Sequence, residues 1–279
     1  MSTYGRRRAL GQHFLKDSEV AKSIAEAGVQ QAVAHSCSAL LEIGPGKGAI
    51  THPLLELLPE YPQIKNFILA ERDLFFAAQW QTHSLSKRSP ALSFSVEAGD
   101  FLELPKEKWL FSLPLAVVSN LPYSAGTAIL QRLVQNRDSI PVMVLMFQAE
   151  VAQRLRAEPS TKGRGSLSLW VQNLWDIQKL LSVPPAAFIP PPQVNSEVVV
   201  LKRRESPRVP HTLEESKLWE SLLKICFAHR RKMLRSVIPW KNTLELSGVN
   251  GTKRAEELGW EEWDRLFQTV RQVSGSQSS

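Results

Sequence analysis

Short, continuously apolar runs alternate along the chain with longer stretches whose apolar residues recur at helical spacing, and the blocks repeat as strand, turn, helix. The runs at 39–43, 66–71, 92–96 and 142–147, with one more starting at 115, predict buried strands of a largely parallel sheet. Helices are predicted from 17 or 18 through Val20, Ile24 and Ala27, over 49–58, from 74 onward with Asp73 as N-cap, and over 125–134, 149–156 and 167–174. Strands at 177–183 and 197–201 flank Phe188-Ile189-Pro190-Pro191-Pro192-Gln193-Val194-Asn195-Ser196, a stiff extended segment. The pattern then changes. A polar, proline-containing stretch at 202–210 marks a domain boundary, so residues 1–204 form an α/β domain. Residues 205–279 form a small helical one, with helices over 213–227 and 260–270 and a disordered tail at 275–279.

The turn after the first of these buried strands holds the first candidate chemistry. Leu40-Leu41-Glu42-Ile43-Gly44-Pro45-Gly46-Lys47-Gly48 places glycines where a ligand meets the carboxyl end of a strand. A dinucleotide fingerprint needs its third glycine at position 49, where Ala49 stands, and a phosphate loop needs Ser or Thr after Lys47, where Gly48 stands. Both fit poorly. The nucleoside-binding loop of S-adenosylmethionine-dependent methyltransferases is similar to Glu42–Gly48 throughout. Glu71, one βα unit later, stands where a carboxylate accepts from ribose hydroxyls. Asp100 accepts from an exocyclic amine, and Phe101 offers a purine an apolar wall.

Asn120-Leu121-Pro122-Tyr123 is the second anchor. Proline fixes the turn so that the carbonyls of Leu121 and Pro122 point outward as acceptors. An adenine amine is a poor nucleophile because its lone pair is delocalised. Acceptors on its two hydrogens, the Asn120 side-chain oxygen and a backbone carbonyl, favour a pyramidal nitrogen and need no general base. Tyr123 stacks on a base taken out of its helix, and Phe188 is the candidate second face of the sandwich.

Composition narrows the partners. The 279 residues carry a formal charge of +7, which favours a polyanion. No run is long and apolar enough to span a bilayer, so nucleic acid is expected rather than membrane. Two cysteines, Cys37 and Cys226, supply neither a disulfide framework nor a zinc site, and no metal is expected. With no secretory signal before the first motif, the expected location is cytoplasmic. Ala228-His229-Arg230-Arg231-Lys232-Met233-Leu234-Arg235 is a candidate RNA-contacting helix. Lys162 and Arg164 lie in a polar loop at 158–165, open to either solvent or phosphate.

In this order, the motifs resemble the KsgA/RsmA family of ribosomal RNA adenine N6,N6-dimethyltransferases over nearly the whole chain. The resemblance rests on G-Q-H-F-L at 11–15, E-I-G-P-G-K-G at 42–48, E-R-D at 71–73, G-D-F-L at 99–102, N-L-P-Y at 120–123, F-Q-A-E-V-A-Q-R at 147–154, F-I-P-P-P-Q-V at 188–194 and F-A-H-R-R-K-M-L-R at 227–235. It implies a Rossmann-like class I methyltransferase with a seven-stranded sheet and a small all-helical C-terminal domain. It implies S-adenosylmethionine contacts from His13, Leu15, Gly44, Glu71, Asp100 and Asn120, to which the loop geometry adds Gly46 and Phe101. The acceptor adenine falls to Asn120, Leu121, Tyr123 and Phe188. The implied substrate is two adjacent adenines in the terminal hairpin of small-subunit (16S) rRNA, each methylated twice in an immature ribosomal subunit; a monomer is expected, and Leu121, where a DNA adenine methyltransferase more typically carries proline, counts against DNA. Met233 and Ser236 depart from the family's threonine and asparagine, and Ser124-Ala125-Gly126 is unusual after the tetrapeptide. An Erm-type large-subunit methyltransferase shares the cofactor and amine motifs, and a non-catalytic assembly factor shares the RNA surface. The 227–235 run favours the small-subunit reading, and the presence of every catalytic residue argues against lost chemistry.

Overall fold

The computed structural model describes residues 13–82, 92–212, 214–240 and 242–275. Gly11, Gln12 and the 276–279 part of the expected tail lie outside them. A short antiparallel ribbon pairs β1 (Phe14–Leu15) with β8 (Phe188–Ile189), setting Phe14 opposite Ile189 and Leu15 opposite Phe188. The central sheet has seven strands: β2 (Ala39–Ile43), β3 (Asn66–Glu71), β4 (Ser93–Ala98), β5 (Leu115–Asn120), β6 (Val142–Gln148), β7 (Trp175–Val183) and β9 (Ser196–Arg203). Their order across the sheet is β4-β3-β2-β5-β6-β9-β7. Strands β2 to β6 pair in parallel and β9 runs antiparallel to β6. The order reverses between β2 and β5, which opens a crevice at their carboxyl ends. Ser119 Oγ donates to the Ile43 carbonyl at 2.6 Å and ties the two strands together at that point.

Residue pattern explains the layers. β2, β3, β5 and β6 are buried almost end to end, as their uninterrupted apolar runs require, and Leu40, Phe67, Val118 and Val144 belong to the main core. β4 is half exposed because it closes one edge, with Ser93 and Ala98 at its ends open to solvent. Helices α1 (Ser18–Ala34), α2 (Thr51–Leu57), α3 (Leu74–Gln81) and α4 (Gly126–Val134) follow β1, β2, β3 and β5. Asp17 caps α1 by accepting from the Glu19 and Val20 amides, and Asp73 caps α3 by accepting from Phe75.

The described chain divides into two compact units. The first holds the residues up to Ala152 together with Ile177–Arg203, and the second holds Gln153–Asp176 and the residues from Arg204 on. The second unit therefore contains α6 (Ser166–Leu174), a segment that precedes β7, β8 and β9 in the chain. Its core joins Leu169 of α6 to Trp219, Leu222, Trp263 and Phe267 from α7 (Ser216–Ala228) and α9 (Trp260–Gly275), and it also holds the short α8 (Thr243–Ser247); α5 (Ala149–Leu155) begins in the first unit and ends in the second.

Two expectations in this unit are corrected. The basic run is not helical: α7 ends at Ala228, His229–Lys232 form a turn and bend, and a 3-10 turn follows at Leu234–Ser236. Consecutive cations repel one another, and the Arg230 side chain is drawn inward to the carbonyls of Lys162 and Arg164 and to Glu256. Nor is Arg164 in contact with solvent. It is fully buried, donating to the carbonyls of Ala157 and Leu258 with its guanidinium 5.7 Å from the Trp260 ring.

Candidate active site

A cavity of about 370 Å3 lies in the first unit at the carboxyl ends of β2, β3, β4 and β5, lined by His13, Phe14 and Leu15, the glycine loop, Glu71, Asp100 and Phe101, and the tetrapeptide. Each strand delivers its residue at the point where the chain turns away from the sheet. After β2, the backbone has positive φ at Gly44, Gly46 and Gly48. A side chain on Gly44 would meet no atom within 4 Å, so the missing Cβ there leaves room for a ligand. At Gly48 the reason is packing, because a Cβ would fall 2.5 Å from the Trp80 ring, whose indole N–H donates to the Gly46 carbonyl at 2.9 Å.

Glu71 ends β3 and is buried. One carboxylate oxygen accepts from the Gly46 amide and the other from the Asp73 amide, each at 2.8 Å. Burial raises its pKa, and the two amides offset part of that rise. The carboxylate is thus fixed in orientation, with lone pairs left for hydroxyl donors. Asp100, past β4, accepts from the Leu102 amide at 3.0 Å and pairs with Arg72 at 3.4 Å. Phe101 is buried against Trp109, ring centroids 4.9 Å apart, and forms an apolar wall. An acidic group for a diol, an acceptor for an amine and an aromatic wall in this sequence fit a nucleoside.

The tetrapeptide is more selective than its sequence suggests. The Pro122 carbonyl is not a free acceptor: it takes the amides of Ala125 and Gly126, at 3.0 and 2.8 Å, and starts α4. The Leu121 carbonyl and the Asn120 side chain, on two residues that line the cavity, make no hydrogen bond among the described residues and are free to accept. Tyr123 is half-buried. Its hydroxyl hydrogen-bonds Ser196 Oγ at 2.5 Å, and its ring stands 5.5 Å from that of His13, whose Nδ1 donates to the Pro190 carbonyl at 2.7 Å.

His13, Leu15, Gly44, Gly46, Glu71, Asp100, Phe101, Asn120, Leu121 and Tyr123 all line this one cavity. Phe188 does not. It is 1% exposed, packed in the core on the Leu15 side of the β1–β8 ribbon, while its neighbour Ile189 faces outward. Alternation along an extended strand places only one of the two at the surface, and the aromatic ring that lines the cavity beside Asn120 and Leu121 is Tyr123. Ser196 closes the proline-rich segment, but nothing in the sequence assigns it to Tyr123, because the contact spans 73 residues. Among the described residues no cluster of His, Cys, Asp or Glu has the make-up of a metal site.

A family model described as ribosomal RNA adenine dimethylase matches residues 5–272. Ribosomal RNA small subunit methyltransferase A of Syntrophotalea carbinolica is 34% identical over 273 residues, 95% of this chain and 97% of that protein. The protein of the same name from Alcanivorax borkumensis is 37% identical over 266 residues, 92% of this chain and 88% of that one. Among solved structures, a dimethyladenosine transferase from Plasmodium falciparum superposes with a TM-score of 0.71 at 24% identity, covering 94% of this chain and 98% of that one. The 23S rRNA methyltransferase ErmE gives 0.65 at 23%, covering 92% and 99%. These two are likenesses of fold.

Proposed function

The chain belongs to the ribosomal RNA adenine dimethylase family, and on that premise we propose that it methylates the N6 amines of two adjacent adenines in the 3′-terminal hairpin of small-subunit (16S) rRNA. S-adenosylmethionine is the cofactor and, when bound, supplies an electrophilic methyl group. The acceptor is RNA rather than DNA, presented by an immature ribosomal subunit to a monomeric enzyme in the cytoplasm. Relatives named for the small subunit support this substrate over a large-subunit one.

One observation carries the reading. The Asn120 side chain and the Leu121 carbonyl are two uncommitted acceptors, on adjacent residues, in a cavity whose other walls suit a nucleoside. Glu71 holds the ribose, Asp100 accepts from the cofactor's adenine amine, Phe101 packs on that base, and Gly44 leaves space beside the main chain. His13 and Leu15 close the wall on the β1 side. Asn120 Oδ1 and the Leu121 carbonyl receive the two hydrogens of the acceptor amine, so its lone pair points into the cavity. Tyr123, oriented by Ser196, stacks on the flipped base, while Phe188 supports the ribbon behind it. The proton leaves the nitrogen after methylation, when that nitrogen has become acidic, so Asn120 serves as an acceptor and no side chain need act as a base.

The test is methyl transfer from labelled cofactor to small subunits and, separately, to large-subunit RNA, both lacking dimethyladenosine, with product nucleosides identified by mass. Dimethyladenosine in the small-subunit hairpin is expected. The same product in large-subunit RNA alone would replace the proposal with the Erm-type activity, and cofactor binding without transfer to either would leave a non-catalytic assembly factor.

A further inference from the structure

We propose that Arg132, on the helix that follows the acceptor tetrapeptide, is a positioning residue for the cofactor's adenine: it pins the Asp100–Leu104 loop, so that one helix sets both the acceptor site and the adenine pocket. The inference rests on the cofactor reading above. Helix α4 begins three residues after Tyr123 and is anchored there by the Pro122 carbonyl. Ile129 lines the cavity, and three residues on, Arg132 points along the same face to the loop beyond β4. One guanidinium nitrogen donates to the Phe101 carbonyl and another to the Leu104 carbonyl, and its carbon stands 5.2 Å from the Phe101 ring centroid and 5.5 Å from that of Trp109.

The loop has few other fastenings. Its internal bonds run to Asp100 alone: the Glu103 and Leu104 amides to its carbonyl, at 2.8 and 3.0 Å, and the Leu102 amide to its carboxylate. These bonds shape the turn; at its start Asp100 also pairs with the exposed Arg72 at 3.4 Å and the Gly99 amide donates to the Glu71 carbonyl at 2.8 Å, but neither holds the Phe101 or Leu104 carbonyl. A planar fork of donors can hold two carbonyls at once and lie flat against two rings; an ammonium can bond the carbonyls but has no planar face to lay on the rings, and an apolar side chain cannot bond the carbonyls. Asp100 and Phe101, the two residues assigned to the cofactor's adenine, are therefore placed by a side chain that touches neither the cofactor nor the RNA.

Arg132→Met and Arg132→Lys test this through calorimetric binding of S-adenosylhomocysteine and 5′-methylthioadenosine, an analogue without the amino-acid tail, and through hydrogen exchange of the Leu102–Leu104 amides in ligand-free protein. In the Met variant both ligands should weaken by the same factor, about tenfold or more, with faster exchange confined to the loop and unchanged affinity for the RNA hairpin. The Lys variant should recover part of the loss. A purely structural role would move the melting temperature and RNA affinity as well. Ligand affinity within twofold of the unmodified protein in a folded Met variant would overturn the proposal, as would weakening of S-adenosylhomocysteine alone or unchanged exchange at the loop. Should the Met variant not fold, the same three readouts on the Lys variant decide. Failure of the unmodified protein to bind either ligand would instead sink the cofactor assignment, and loop exchange would still decide the clamp.

Discussion

Glu42 stands two residues before the glycine loop, lines the cavity, and is 2% exposed with one carboxylate oxygen lacking a hydrogen-bond partner among the described residues. Burial pushes its pKa up to about 8, Thr51 offsets part of that rise, and the charge of Glu71 adds to it. From pH about 4.5, where the unfolded carboxyl ionises, to about 8, the folded protein keeps a proton that the unfolded chain releases. This group therefore lowers stability as pH rises across that window, by up to about 1.4 kcal/mol per pH unit. Glu42→Gln should remove the slope, so urea titrations at pH 6 and pH 8 should show the variant gaining on the unmodified protein at the higher pH. Equal differences at both values would refute the assignment. Asn120→Ala should slow transfer by about two orders of magnitude or more, as for loss of one preorganised polar group, and weaken cofactor affinity far less. Single-turnover rates alongside calorimetry check both halves, and near-normal turnover would remove Asn120 from the acceptor role. That Glu71 and Asn120 line the cavity is legible in the sequence because each ends an apolar run, and the end of a buried parallel strand is where an α/β sheet presents polar groups, whereas Asp100 lies two residues beyond the half-exposed β4. The occupied Pro122 carbonyl is not legible, since it depends on amides donated by a turn whose path the proline does not fix.

At the scale of elements, hydrophobic pattern predicts strands and helices well where burial is continuous, and β2 and β3 begin and end where expected. It fails where charge is read without partners. A basic run after a helix has the composition of further helix, yet α7 stops at Ala228 and Arg230 is bonded to three oxygens just beyond it. The 158–165 loop misleads in the same way, because composition suggests solvent while Arg164 is 0% exposed and its pKa is lowered to about 10 by burial. Its guanidinium donates to the Leu258 carbonyl and to the Ala157 carbonyl, which also accepts from Gln172. Arg164→Met should destabilise the second unit by about 1.5–3 kcal/mol, the range for hydrogen bonds to a charged group. Hydrogen exchange should quicken across 153–176 and 204–275 while β2 and β5 keep their protection; uniform quickening or none would count against it.

For the whole molecule, the +7 charge has a measurable consequence. Arg231, Lys232 and Arg235 are exposed and, unlike Arg230, carry no side-chain bond among the described residues. Replacing Arg231 and Lys232 by alanine should weaken binding to the RNA hairpin and flatten the slope of log affinity against log salt by about 0.7–0.9 for each phosphate left without its cation. An unchanged slope would place the RNA elsewhere on the protein.

The chain enters the second unit twice, at Gln153 and again at Arg204. A sequence that shows one change of composition near 204 invites a single cut there. Such a cut would leave Leu169 without Trp219 and Trp263 and Arg164 without the Leu258 carbonyl, while the piece released would lack α6. Exchange of this unit between relatives therefore requires two grafts made together. During synthesis the first unit's sheet is likewise completed, by β7 and β9, only after part of its neighbour has been made, so the order in which the chain is made is not the order in which its units can close.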